Sequence, residues 1–156
     1  MPSLLCLLPV LAVQAQQLTT MELSLGAAAA LARRTFIGAE VGIAHRPSGE
    51  SRIALALAGG SAPPGDRAAA RAQVTIQLLV NSAARAGVGI YAGVGTAFLA
   101  RRGSPSQGYL AVLLGVEGAP GRRQSWFVEG GLGGGARAAG GWRVRWFPRW
   151  WTGRGR

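Results

Sequence analysis

Arg71-Ala72-Gln73-Val74-Thr75-Ile76-Gln77-Leu78-Leu79-Val80 is the stretch whose reading decides the fold. Val74, Ile76, Leu78 and Val80 occupy one phase of a two-residue period, and Arg71, Gln73, Thr75 and Gln77 occupy the other. A helical period would mix the polar groups among the apolar ones, so the segment reads as a β-strand with two unlike faces. The same period extends outward in both directions. Met21, Leu23 and Leu25 alternate with Glu22, Ser24 and Gly26, and Ile37, Val41 and Ile43 with Gly38, Glu40 and Gly42. Ile53, Leu55 and Leu57 share a phase, and Val88, Ile90, Val94 and Phe98 oppose Gly87, Gly89, Tyr91, Gly93 and Gly95. Leu110, Val112, Leu114 and Val116 oppose Tyr109, Gly115 and Glu117; Trp126 and Val128 oppose Glu129; Trp142, Val144 and Trp146 oppose Arg143 and Arg145.

These segments define eight expected strands: Thr19 to Leu31, Thr35 to Arg46, Ser51 to Gly59, Arg67 to Val80, Gly87 to Leu99, Gln107 to Glu117, Gln124 to Gly133 and Arg137 to Phe147. Residues that favour tight reversals lie between them, among them Pro47-Ser48-Gly49, Gly59 to Gly65, Asn81-Ser82, Gly103-Ser104-Pro105, Ala119-Pro120-Gly121 and Gly133-Gly134-Gly135. A chain of 156 residues is a single domain by length. Strands of roughly ten residues match the length that crosses a bilayer at a tilt. The expected fold is therefore all-β, a single antiparallel up-and-down transmembrane β-barrel of about eight strands.

Alternation alone does not say which phase faces inward, and the composition bears on that choice. Charged residues make up 15% of the chain, hydrophobic ones 49%, and all 17 basic residues are arginine. A soluble domain carries roughly a quarter charged residues, so this chain has little with which to clothe a water-facing surface. The polar phase is mostly Gly, Ala, Ser and Thr, which suits the narrow interior of an eight-stranded barrel. On this reading the apolar phase faces lipid, and Glu22, Glu40, Glu117 and Glu129 meet Arg71, Arg143 and Arg145 in the lumen. Isolated charges there would be strongly disfavoured, so pairing is a requirement. A soluble barrel or sandwich, with the apolar phase at its core, is the alternative.

Residues 1–17, MPSLLCLLPVLAVQAQQ, read as a secretory signal with an apolar core from Leu4 to Val13 and small residues at Val13-Gln14-Ala15. The barrel domain is then 18–148, followed by a basic aromatic tail, 149–156. Cys6 leaves with the signal, which removes disulfide and thiol chemistry from the mature chain. Without lysine there is no P-loop and no Schiff base, and no GxGxxG occurs, so no cofactor is expected. The lone His45 cannot head a metal site. The formal charge of +11 is spread over turn arginines such as Arg33-Arg34, Arg101-Arg102 and Arg122-Arg123, a pattern unlike a nucleic-acid stripe and better suited to anionic head groups.

The signal-like start, the eight alternating segments, the inward Glu and Arg and the terminal Gly141-Trp142-Arg143-Val144-Arg145-Trp146-Phe147 together resemble the small eight-stranded outer-membrane barrels, the OmpX-like proteins and the transmembrane domain of OmpA-like proteins. The resemblance spans the whole mature chain and is architectural. It implies residence in the outer membrane of a Gram-negative bacterium, contact with outer-membrane lipid and lipopolysaccharide, and a monomeric barrel. It also implies assembly by the barrel-insertion machinery, with Gly141, Val144 and Trp146 as the closing-strand signal. The chain continues through Pro148-Arg149-Trp150-Trp151 to Arg156, where family members end on an aromatic. Trp126, Trp142 and Trp146 are the expected membrane-interface aromatics. The function expected is a non-enzymatic structural or interaction role with a lumen plugged by Glu/Arg pairs. Two alternatives stand beside it: a soluble exported barrel that binds a small apolar ligand, and a lipid A-modifying enzyme acting through His45 with Ser48, Glu50 and Ser51 nearby.

Overall fold

A computed structural model describes residues 18–32, 35–62 and 67–152, the side chain of Arg67 excepted. The signal segment 1–17, the Arg33-Arg34 pair, the Pro63-Pro64-Gly65 turn and the last four residues of the tail lie outside the described residues. Eight strands follow one another: β1 (Thr20–Leu31), β2 (Phe36–Arg46), β3 (Ser51–Ala62), β4 (Arg67–Val80), β5 (Val88–Arg101), β6 (Ser104–Gly118), β7 (Gln124–Leu132) and β8 (Ala136–Trp146). Each pairs antiparallel with its neighbour in the chain, and β8 returns to β1, so the sheet closes as an up-and-down barrel. An even strand number puts the start of β1 and the end of β8 at one end, here called the terminal rim.

Register carries the two-residue period around the circumference. Ile76 of β4 lies between Ile53 of β3 and Val94 of β5, and Val94 in turn pairs with Val112 of β6. Directly opposed residues point to the same face, so a phase that is apolar in one strand meets an apolar phase in the next. That phase lies outside. Leu23, Val41, Ile76 and Val112 are 41%, 44%, 60% and 44% exposed, whereas Arg46, Arg52 and Arg145 are 0% exposed. The polarity of a water-soluble barrel is thus inverted, with greasy side chains on the surface and ionised groups within.

Small residues make the interior habitable for the few large ones. Tyr91 lies in the lumen against Leu79 and Leu113. A Cβ on Gly115, its cross-strand partner, would lie 2.2 Å from the Tyr91 ring, so the missing side chain of β6 is the space the ring occupies.

The structure departs from the sequence reading in the length of three strands. β3 continues through Gly59, Gly60 and Ser61 to Ala62, although the glycine pair reads as a turn. A Cβ on Gly60 would sit 2.0 Å from the Ile37 carbonyl oxygen, so glycine here permits close approach of β2 and β3 and does not mark a reversal. β5 and β6 meet in a two-residue turn, Arg102-Gly103, with Gly103 at φ +76°. Pro105 therefore falls inside β6. It is tolerated because the register slips between Leu99 and Arg101, and proline fits where ladder hydrogen bonding is already irregular. β7 pairs with β6 only from Val112 onward, so the β5–β6 hairpin stands proud of the rim opposite the termini.

After β8 the chain makes one helical turn, α1 (Arg149–Thr152). Trp151 anchors it beneath the terminal rim: its Nε1 donates to the Gly121 carbonyl at 3.1 Å, while Arg85 donates to the Trp151 carbonyl at 2.6 Å and lies 4.5 Å over its ring.

Candidate functional site

The lumen holds the chemically distinctive side chains, and the placement of the charged ones follows from the inward phase of seven strands. Near the terminal rim, Glu22 of β1 and Glu117 of β6 are surrounded by Arg46 of β2, Arg52 of β3, and Arg143 and Arg145 of β8. Glu117 receives Arg52 at 2.8 Å, Arg145 at 2.9 Å, Arg46 at 3.0 Å and a close contact from Arg143. Glu22 faces the same four guanidiniums, in close contact with Arg46 and with Arg52, Arg145 and Arg143 at 3.1, 3.3 and 3.5 Å. Each carboxylate is thus shared among four cations.

Further guanidinium hydrogens of Arg46, Arg52 and Arg145 are directed to neutral acceptors. Arg52 donates to Gln77 at 3.1 Å, and Gln77 passes the chain on to Thr75 at 3.0 Å. Arg145 donates to the Ser125 hydroxyl at 2.7 Å, and Arg46 to the Ser82 carbonyl at 3.3 Å. Arg52 and Arg143 lie 4.9 and 5.4 Å from the Tyr91 ring centroid, and Arg143 lies 4.6 Å from that of Phe127. Aromatic faces supplement a cluster in which cations outnumber carboxylates.

A second group lies further along the lumen. Arg137 of β8 clamps both oxygens of Glu40 at 2.7 Å and reaches Glu129 at 3.3 Å. Arg143 links the two groups through a 3.7 Å approach to Glu129. Beyond them, Phe36, Leu99 and the alanines Ala30, Ala58, Ala62 and Ala69 form an apolar cap toward the far rim. Between the groups, a cavity of about 30 Å³ is lined by Ser24, Gly42, Ala54, Thr75 and their charged neighbours. That is room for a water or two, each needing about 10–15 Å³.

The seven residues read as a lumen network divide unevenly. Glu22, Glu117, Arg143 and Arg145 meet in the first group, and Glu40 and Glu129 in the second. Arg71 does something else: it donates to the Gly133 carbonyl at 2.8 Å and to Gln73 at 3.0 Å, and so ties β4 to the β7–β8 turn. Arg46, Arg52 and Arg137 supply the missing positive charge. The period already places them inward, since each shares the phase of its strand's polar residues, but all three stand within two residues of a strand end, where an arginine reads as part of a turn. Both terminal-rim additions come from the β2–β3 hairpin.

Trp126, Trp142 and Trp146 lie on the outer wall, 41%, 52% and 49% exposed, with Trp126 and Trp142 directly paired across β7 and β8. His45 also points outward. Its Nδ1 lies 3.2 Å from the Met21 sulfur, while Ser48 and Ser51 hydrogen-bond to each other at 2.7 Å. Neither contact joins the histidine to a hydroxyl, as a base activating a nucleophile would require. Among the described residues, no group of three His, Cys, Asp or Glu side chains is arranged to hold a metal ion.

The N-terminal β-barrel domain of OprF from Pseudomonas aeruginosa superposes on the chain with a TM-score of 0.64 at 12% sequence identity, over 84% of this chain and 100% of that domain. Ail, the attachment invasion locus protein of Yersinia pestis, aligns with a TM-score of 0.46 at 13% identity over 85% of this chain and 100% of its own. The likeness to the OprF domain is one of fold. No protein-family model and no curated protein sequence matches the chain.

Proposed function

We propose that the chain is an outer-membrane β-barrel with a non-enzymatic structural or interaction role, exported by its N-terminal segment and closed to passage by the Glu/Arg groups of its lumen. One observation carries this reading: the large apolar side chains are on the outside and the ion pairs are inside. Leu25, Leu78 and Leu110 are 66%, 68% and 74% exposed, part of an apolar surface that continues around the barrel, whereas a soluble monomer exposes apolar patches of no more than a few hundred Å². Lipid is the solvent in which such a wall is stable. The fold it shares with the OprF domain is compatible with that solvent. In this orientation the terminal rim faces the periplasm and the β5–β6 hairpin faces outward.

The alternative of a soluble carrier for a small apolar ligand has little support from the interior, where the cavity between the charged groups is about 30 Å³ and polar. Lipid A chemistry through His45 is likewise weakened by its contact with Met21. A closed barrel resists detergent until heated, so folded protein should migrate differently in electrophoresis with and without boiling, and should fractionate with outer membranes. Identical mobility in both samples, with recovery in the soluble periplasm, would reject the proposal.

A further inference from the structure

We propose that the terminal rim carries a binding site for the phosphate of an anionic phospholipid, built from Arg85, Arg122 and Arg123. The inference rests on the membrane reading above. These arginines line a cleft of about 550 Å³, within the roughly 300–1,000 Å³ typical of ligand sites, whose other wall is formed by Phe147, Trp151 and Thr152. Among the described residues, none that line the cleft is acidic.

The cleft is held in shape by neutral contacts that leave its charge uncompensated. Arg122 donates through Nε to the Arg85 carbonyl at 2.7 Å, which fixes the β6–β7 turn against the β4–β5 turn. Arg85 in turn engages the Trp151 carbonyl and ring, so α1 closes the side of the cleft away from the strands. Arg122 and Arg123 are exposed. Carbonyls and an indole stabilise the guanidiniums without neutralising them, and a phosphate presents the acceptors that their remaining N–H groups fit.

Position selects a lipid over a free phosphate. The cleft lies just beyond the ends of β7 and β8, whose outer faces carry Trp126, Trp142 and Trp146. Trp142 is four residues up from Trp146, about 13 Å along the strand. A head group seated among the arginines would therefore have its acyl chains against this aromatic wall. Tryptophan favours that level of the bilayer.

The test reconstitutes the full chain in vesicles of mixed phosphatidylcholine and phosphatidylglycerol, and counts retained lipids by native mass spectrometry. Wild type should retain phosphatidylglycerol in preference by at least about fivefold, the factor expected for each guanidinium contacting an anionic surface. Arg122→Gln/Arg123→Gln keeps Arg85 and its contact with Trp151, and should lower the ratio by at least about fivefold. Arg102→Gln, at the opposite rim, should leave it unchanged. Equal retention of both lipids by wild type, an unchanged ratio in the double variant, or an equal loss in Arg102→Gln would overturn the site. Displacement of phosphatidylglycerol by millimolar inorganic phosphate would overturn the assignment to lipid. Failure of the chain to insert into either lipid, with no heat-dependent mobility, would instead remove the membrane reading itself.

Discussion

Glu117→Ala should cost about 3–5 kcal/mol of unfolding free energy, the penalty for leaving buried charge uncompensated. Four guanidiniums converge on this carboxylate, and its removal leaves Arg46, Arg52 and Arg145 with Glu22 alone and Arg143 with Glu22 and a 3.7 Å approach to Glu129. Repulsion among the arginines then acts where water cannot screen it. Glu40→Ala should cost less, because Arg137 keeps Glu129. The comparison is made by urea titration of the folded barrel in lipid vesicles, followed by tryptophan fluorescence. Glu117→Ala/Arg143→Ala should recover part of the loss, since one surplus cation leaves with its partner. A Glu117→Ala barrel within about 0.5 kcal/mol of wild type, the range of an inert surface change, would mean that the cluster does not act as a unit.

Val94→Arg should destabilise the barrel by about 2–4 kcal/mol in a bilayer, the cost of arginine on a lipid-facing wall at midplane depth. Val94 is 58% exposed and lies midway along β5, between Ile76 and Val112. Val88→Arg, on the same face but at the first residue of the strand, should cost only about 0–1 kcal/mol, because the guanidinium reaches the interface there. The same urea titration measures both. On a water-facing surface the sign differs: an exposed valine replaced by arginine would be neutral within about 0.5 kcal/mol at either depth. Equal, small effects at the two positions would contradict a lipid-facing wall.

Strand number and direction were legible because one property, the period of two, repeats in every segment and survives errors at the ends, and facing was legible from the small, sparsely charged residues of the polar phase. A one-residue slip would have turned Ile76 and Val94 inward, and the continuous apolar phase leaves no room for such a slip. Features that depend on neighbours distant in sequence were not legible. Gly59-Gly60 reads as a reversal until the Ile37 carbonyl of β2 is placed against it. Pro105 reads as a strand breaker until the register slip in β5–β6 gives it a place. The partners of each carboxylate are decided across the lumen, so Glu40 meets Arg137 and not Arg71, a choice that no local pattern contains. Arg46 and Arg52 show the limit from another side: flanking a Pro-Ser-Gly turn, they look solvated, yet the barrel's closure brings both to zero exposure. The docking of Trp151 beneath the rim likewise depends on Arg85 and Gly121, far away in the chain.

Spin labels placed one at a time on Val74→Cys, Thr75→Cys, Ile76→Cys and Gln77→Cys, in a chain carrying Cys6→Ser and reconstituted in lipid vesicles, report directly which solvent each face of β4 meets. Positions 74 and 76 should relax strongly with dissolved oxygen, which concentrates in the hydrocarbon, and positions 75 and 77 weakly. A water-soluble nickel chelate should reach none of the four. Strong relaxation of 74 and 76 by the nickel chelate would place the apolar phase in water and contradict the inverted barrel.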